Sequence, residues 1–130
     1  MSKEFSDIKI TGVNEDATRN TNPSMRLYDV VLNLSSSSPS EWSSYFNQRW
    51  KNEFYMMKRN ANASGGSITI QCVLDELGKD HLPRLKSVIA ETNQNYREYL
   101  AKQEKRQHAN QAREKVEKEK VQELNKLNFD

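Results

Sequence analysis

An apolar stripe that stops while its helix goes on is what most limits the folds open to this chain. The residues Leu82, Leu85, Ile89, Thr92, Tyr96 and Tyr99 recur at alternating steps of three and four. That spacing lays one side of a helix against a partner surface. After Leu100 the stripe ends. The following stretch, AKQEKRQHANQAREKVEKEKVQELNK, has no proline, no glycine and few apolar residues, yet it is rich in helix formers. The expected organisation is a globular body over residues 1–100 and a charged helical extension over 101–130. A helix from Asp80 to Asn128 would be roughly 70 Å long at 1.5 Å per residue.

Composition supports the division. Only 35% of the 130 residues are hydrophobic, and most of the large ones precede Tyr99. A body of about 100 residues can bury a modest core without disulfide staples. Residues 1–80 hold nine Lys/Arg and ten Asp/Glu, whereas residues 81–130 hold eleven and eight. The basic bias of the tail is mild, weaker than a dedicated nucleic-acid binder usually carries. Cys72 is the only cysteine, which excludes an intrachain disulfide and fits a reducing compartment. MSKEFSDIKI has no apolar run of signal-peptide type, and no stretch is long and apolar enough to span a bilayer. A cytoplasmic protein with no membrane partner is the expectation.

Local patterns predict the elements of the body. SDIKITGV reads as a short strand with Ile8 and Ile10 on one face, and residues 14–24, with Pro23, as a loop. MRLYDVVLNL is the best strand, with Tyr28, Val30, Leu32 and Leu34 sharing a face. Ser38-Pro39-Ser40-Glu41 reads as a capping box with Ser38 as N-cap. Trp42, Tyr45, Phe46, Arg49 and Trp50 then keep helical spacing and predict a sheet-covering helix. Residues 53–60 are assigned to a strand, followed by a hairpin loop through Asn60, Asn62, Gly65 and Gly66. SITIQCVL alternates with Ile68, Ile70, Cys72 and Leu74 inward. Asp75-Glu76-Leu77-Gly78 reads as a turn and Asp80 as the N-cap of the long helix. The fold class is α+β: a small antiparallel sheet in the order ββαββα, with helices on one face and a long C-terminal helix projecting.

No catalytic set, metal site or cofactor motif emerges. His81 with Asp75, Glu76 and Asp80 is better read as a polar turn and helix cap than as a cation site. Cys72, inward on a strand, reads as a small hydrophobe. Ser64-Gly65-Gly66-Ser67 lacks the lysine and subsequent helix of a phosphate loop and reads as a hairpin turn. Arg97, Lys102, Lys105 and Arg106 form a local basic run, with Lys58 and Arg59 near the hairpin and Tyr96 and Tyr99 within reach of a stacked base. Nucleic-acid binding through that run is the weaker alternative. The leading reading is a non-enzymatic interaction or adaptor protein. It docks on a protein partner, or on a second copy as a homodimer or coiled coil, through Val116, Val121, Leu124, Leu127 and Phe129. These positions do not sustain a heptad, because Val116 to Val121 is a five-residue step.

Overall fold

The structure, a computed structural model, describes residues 5–128. In chain order the elements are β1 (Ile10–Val13), β2 (Arg19–Asn22), a 3-10 turn (Pro23–Met25), β3 (Leu27–Leu34), α1 (Ser40–Lys51), β4 (Ala61–Ser64), β5 (Ser67–Val73), one helical turn α2 (Leu74–Glu76), a π-helical turn (Leu77–His81) and α3 (Leu82–Leu124). The class is α+β with a small antiparallel sheet, as expected, but the sheet has five strands.

β3 organises that sheet. Its alternation of apolar and polar residues buries Val30, Leu32 and Leu34 on one face. One edge pairs with β5 from Leu27↔Val73 to Asn33↔Ser67, so Ile68, Ile70 and Cys72 join the same buried face. β5 in turn pairs with β4 across the two-residue turn Gly65–Gly66. Gly65 has φ +59 there, a conformation suited to glycine. The other edge of β3 is shared: β1 covers Leu32–Leu34 and β2 covers Leu27–Asp29. Between them residues 14–18 leave the edge but stay tied to it. The Asn14 N–H donates to Val31 O at 2.7 Å, and Thr18 Oγ1 accepts from the Val31 N–H at 3.0 Å. β1 and β2 are thus two parts of one interrupted edge strand. The loop expected over 14–24 is incorrect for Arg19–Asn22. Its polar sequence, RNTN, is tolerated because an edge strand faces solvent rather than a second layer.

α1 carries Trp42, Phe46 and Trp50 at steps of four, all buried. Their rings stack nearly parallel, with centroids 5.9 and 6.1 Å apart. The predicted capping box does not form. Pro39 is the N-cap, without a side-chain cap bond. The Ser38 hydroxyl instead donates to Gly65 O at 2.6 Å and lies 2.7 Å from Ser43 Oγ, while the Ser38 N–H donates to Gly65 O at 2.8 Å. A hydroxyl can donate as well as accept, and the carbonyl of the β4–β5 turn is the partner within reach. The helix start is therefore bonded to the sheet.

Further expectations are corrected. Residues 53–60 form no strand; they are an irregular connection held by side chains, and β4 begins only at Ala61. Leu74 is 49% exposed rather than inward, because β5 ends at Val73 and the chain turns straight into helix. The stretch Asp75–Gly78 is helical rather than a turn, and Asp80 lies inside the π-helical turn rather than at a cap. The Leu82 N–H donates to Leu77 O, five residues back. α3 ends at Leu124 rather than at Asn128, and the last bonds run to the residue three back.

Residues up to Tyr96 form one compact unit and those from Arg97 a second. The first contains the sheet, α1 and the start of α3, where Leu85, Val88, Ile89, Thr92, Asn93 and Tyr96 are buried. Asn93 is the polar member of that set. Its Oδ1 accepts from the Ile8 N–H at 3.1 Å and from Trp42 Nε1 at 2.9 Å, and its Nδ2 donates to Ile8 O at 3.0 Å. Replacing Asn93 by Ala would orphan three buried polar groups. We expect a loss on the order of 3 kcal/mol or more, seen as a lower denaturation midpoint. Asn93→Asp should fail to rescue it, since a carboxylate cannot donate to Ile8 O.

Candidate functional site

Two places hold candidate functional side chains, one in each unit. The first is a polar chain that begins on the connection after α1. Tyr55 packs its ring edge-on against Trp50, at 5.8 Å, and against His81, at 5.7 Å. Its hydroxyl lies 2.8 Å from His81 Nδ1, and His81 Nε2 lies 3.2 Å from Glu76 Oε1. Arg59 forks onto the same carboxylate, Nε to Oε1 at 3.1 Å and the terminal nitrogen to Oε2 at 3.2 Å. A carboxylate only accepts, so His81 Nε2–H donates to Glu76, while Nδ1 faces the Tyr55 hydroxyl. His81 is fully buried, placed there by the π-helical turn that precedes α3.

These contacts set the electrostatics. The Arg59 fork, with help from His81, holds the Glu76 carboxyl below the ordinary carboxylate range. Burial pushes the Tyr55 hydroxyl up to about 12 and the Cys72 thiol up to about 11, the latter with a contribution from the Glu76 charge. A thiol so raised is no nucleophile at neutral pH. Among the described residues no group of three or more His, Cys, Asp and Glu side chains is placed to hold a metal ion. Two open depressions lie along the outward side of α1, one lined by Ser40, Glu41, Ser44, Tyr45 and Gln48 and the other by Ser44, Asn47, Gln48, Lys51 and Asn52. Neither includes a member of the polar chain.

The second place is the distal helix. Val116, Val121 and Leu124 lie on α3 and are 50, 62 and 55% exposed. Leu127, 58% exposed, lies just past the helix end. Phe129 lies outside the described residues. Val116 and Val121 stand about 140° apart around the helix axis, whereas Val121 and Leu124 are neighbours. Arg97, Lys102, Lys105 and Arg106 lie on the same helix, with Lys102, Lys105 and Arg106 beyond the last buried position. Arg59 is committed to Glu76, and Tyr96 is buried edge-on against Phe5 at 4.7 Å. Tyr99 is half-buried. No helix among the described residues is long and apolar enough to cross a membrane.

Sequence patterns place His81 and Glu76 in a polar turn and miss Tyr55 and Arg59 as their partners. The strand assignment for 53–60 hides them. A signal is present: period-two alternation would put Phe54 and Met56 on one face and Tyr55 and Met57 on the other, so neither strand face is the polar one.

Compared with protein-family models, curated proteins and solved structures, the chain finds no match.

Two measurements check the polar chain. The folded value of Glu76 lies below that of the unfolded chain. Its contribution is therefore present above the ordinary carboxylate range and lost as pH falls through the folded value. The stability advantage of the wild type over Glu76→Gln should accordingly be largest near neutral pH and shrink in acid, read from thermal midpoints across that range. Cys72 should react with a thiol reagent far more slowly in the native protein than in denaturant, since access and thiolate are both withheld.

Proposed function

We propose that this chain is a small non-enzymatic protein-interaction module, and that the distal part of α3 is its docking element, on a partner protein or a second copy. The observation that carries the reading is the exposure of Val116, Val121, Leu124 and Leu127, each at half or more. These apolar groups sit within or just beyond a helix that otherwise presents charge. The surrounding sequence supplies helix propensity and solubility, while isolated helices draw little stability from propensity alone. A partner surface would bury these side chains and hold the helix. A cytoplasmic location belongs to the same proposal and is supported by the single, buried, reduced Cys72.

The decisive experiment compares two sets of substitutions in the full chain. Leu124→Ser with Leu127→Ser should weaken self-association or capture of a partner by about tenfold or more, given the apolar area withdrawn. The thermal midpoint of the body should not move. Lys102→Gln, Lys105→Gln and Arg106→Gln together should have a much smaller effect. The reverse outcome, with steep salt dependence of retention on DNA or RNA, would replace this reading with nucleic-acid binding.

A further inference from the structure

The connection between α1 and β4 is pinned at its base and bare at its tip. Tyr55 is held by Trp50 and His81, and Arg59 by Glu76. Trp50 Nε1 donates to Arg59 O at 2.9 Å, and Lys58 Nζ donates to Lys51 O at 3.2 Å. Between these anchors Phe54, Met56 and Met57 stand out, 85, 89 and 53% exposed. Met57 has φ +64, uncommon for a residue with a side chain. Three large apolar residues within four positions expose their side chains on one short segment, and apolar exposure so concentrated in a folded domain marks a contact surface.

Charge selects the occupant. The carboxylates on the connection and at its anchor are neutralised inside the fold: Glu53 faces Arg49 at 3.6 Å, and Glu76 is taken by Arg59 and His81, whereas Asp75 and Asp80 on the turns into α3 are in no ion pair among the described residues. The cations around the tip are not neutralised. Among the described residues Lys51, Lys58 and Arg84 have no carboxylate partner. Lys58 lies over the Trp50 ring at 5.8 Å, and Arg84 over Tyr55 at 5.4 Å. Two copies meeting tip to tip would bring these like charges together, so a symmetric pair through this surface is disfavoured. An anionic surface suits it. Phe54 and Met56 are so exposed that the tip is convex. A protein partner would need a matching pocket, whereas the interface of a bilayer receives a convex apolar tip without one and offers headgroup charge to the collar.

We propose that Phe54, Met56 and Met57 form a membrane-surface contact that docks, with Lys51, Lys58 and Arg84 as its basic collar, on an anionic lipid bilayer. The expectation of no membrane partner rests on the absence of a spanning segment, and a surface contact requires none. This inference is independent of the distal helix and concerns the other unit of the chain.

The test is co-sedimentation of the full chain with vesicles of phosphatidylcholine alone and of an equimolar mixture with phosphatidylglycerol. The wild type should be retained on the anionic vesicles, less on the neutral ones, and less as salt is raised. Phe54→Ser with Met56→Ser should lower retention by roughly tenfold, with an unchanged thermal midpoint because both side chains are exposed. Met57→Gly removes apolar surface at a left-handed position that glycine prefers, so it should weaken retention without loss of stability. Lys51→Gln with Lys58→Gln should erase the preference for anionic vesicles. Absence of wild-type retention on anionic vesicles at low salt would overturn the proposal and leave the tip as a protein-docking surface. Retention unaffected by the Phe54 and Met56 pair would also overturn it, as would retention lost instead through the Leu124 and Leu127 pair.

Discussion

Asn93 sits where three parts of the chain meet. A primary amide can accept at its oxygen and donate from its nitrogen, and buried here it does both. To the backbone of Ile8 it offers what a neighbouring strand would offer, one acceptor and one donor. With its second lone pair it takes the indole N–H of Trp42. The N-terminal segment, the aromatic face of α1 and the start of α3 are thereby fixed to one side chain. Ile8 and Trp42 are both fully buried, so each would otherwise carry an unsatisfied polar group into the core. Among the described residues no buried side-chain nitrogen or oxygen lacks a partner. That economy, rather than apolar area alone, gives this small core a single arrangement.

The same device recurs at the other end of α1. Residues 52–60 have no strand or helix of their own, and side chains supply the missing order. The fork of Arg59 on Glu76, continued through His81 to the Tyr55 hydroxyl, ties the connection to the turns that lead into α3. The π-helical turn matters because one additional residue per turn rotates the chain beyond it, and His81 arrives buried rather than on the outer surface. An anchored base lowers the ordering cost for whatever meets the tip, since the backbone is already in place.

Under the two proposals the units would divide the work of recognition differently. In the compact unit, contact groups stand on a loop whose geometry is set by buried hydrogen bonds. In the helical unit, apolar groups are distributed around a charged helix, and a partner would select the face it buries. The proposed bilayer contact and the proposed protein contact would together make a link between a surface and a second molecule. The formal charge of residues 1–80 is slightly negative, yet the patch around Phe54 is basic. Internal ion pairing consumes Glu53 and Glu76 and leaves Lys51 and Lys58, so net charge is a poor guide to local field here.

Periodicity by itself determined β3, β5, the aromatic face of α1 and the long C-terminal helix, and with them the buried positions of Trp42, Phe46, Ile68, Ile70, Cys72 and Leu85. Alternation at two and recurrence at three and four record which side of an element leaves water, and that partition acts residue by residue along the chain. What tertiary structure decided was pairing. β2 is polar and exists because β3 offers it an edge. Ser38 bonds to the sheet turn rather than capping α1, and Asn93 holds a backbone 85 positions away. Tyr55 and Arg59 find His81 and Glu76 only once the connection has been laid across the turns entering α3. Hydrogen bonds between distant polar groups leave no repeat in the sequence, because their energy depends on distance and direction in the folded state rather than on spacing along the chain.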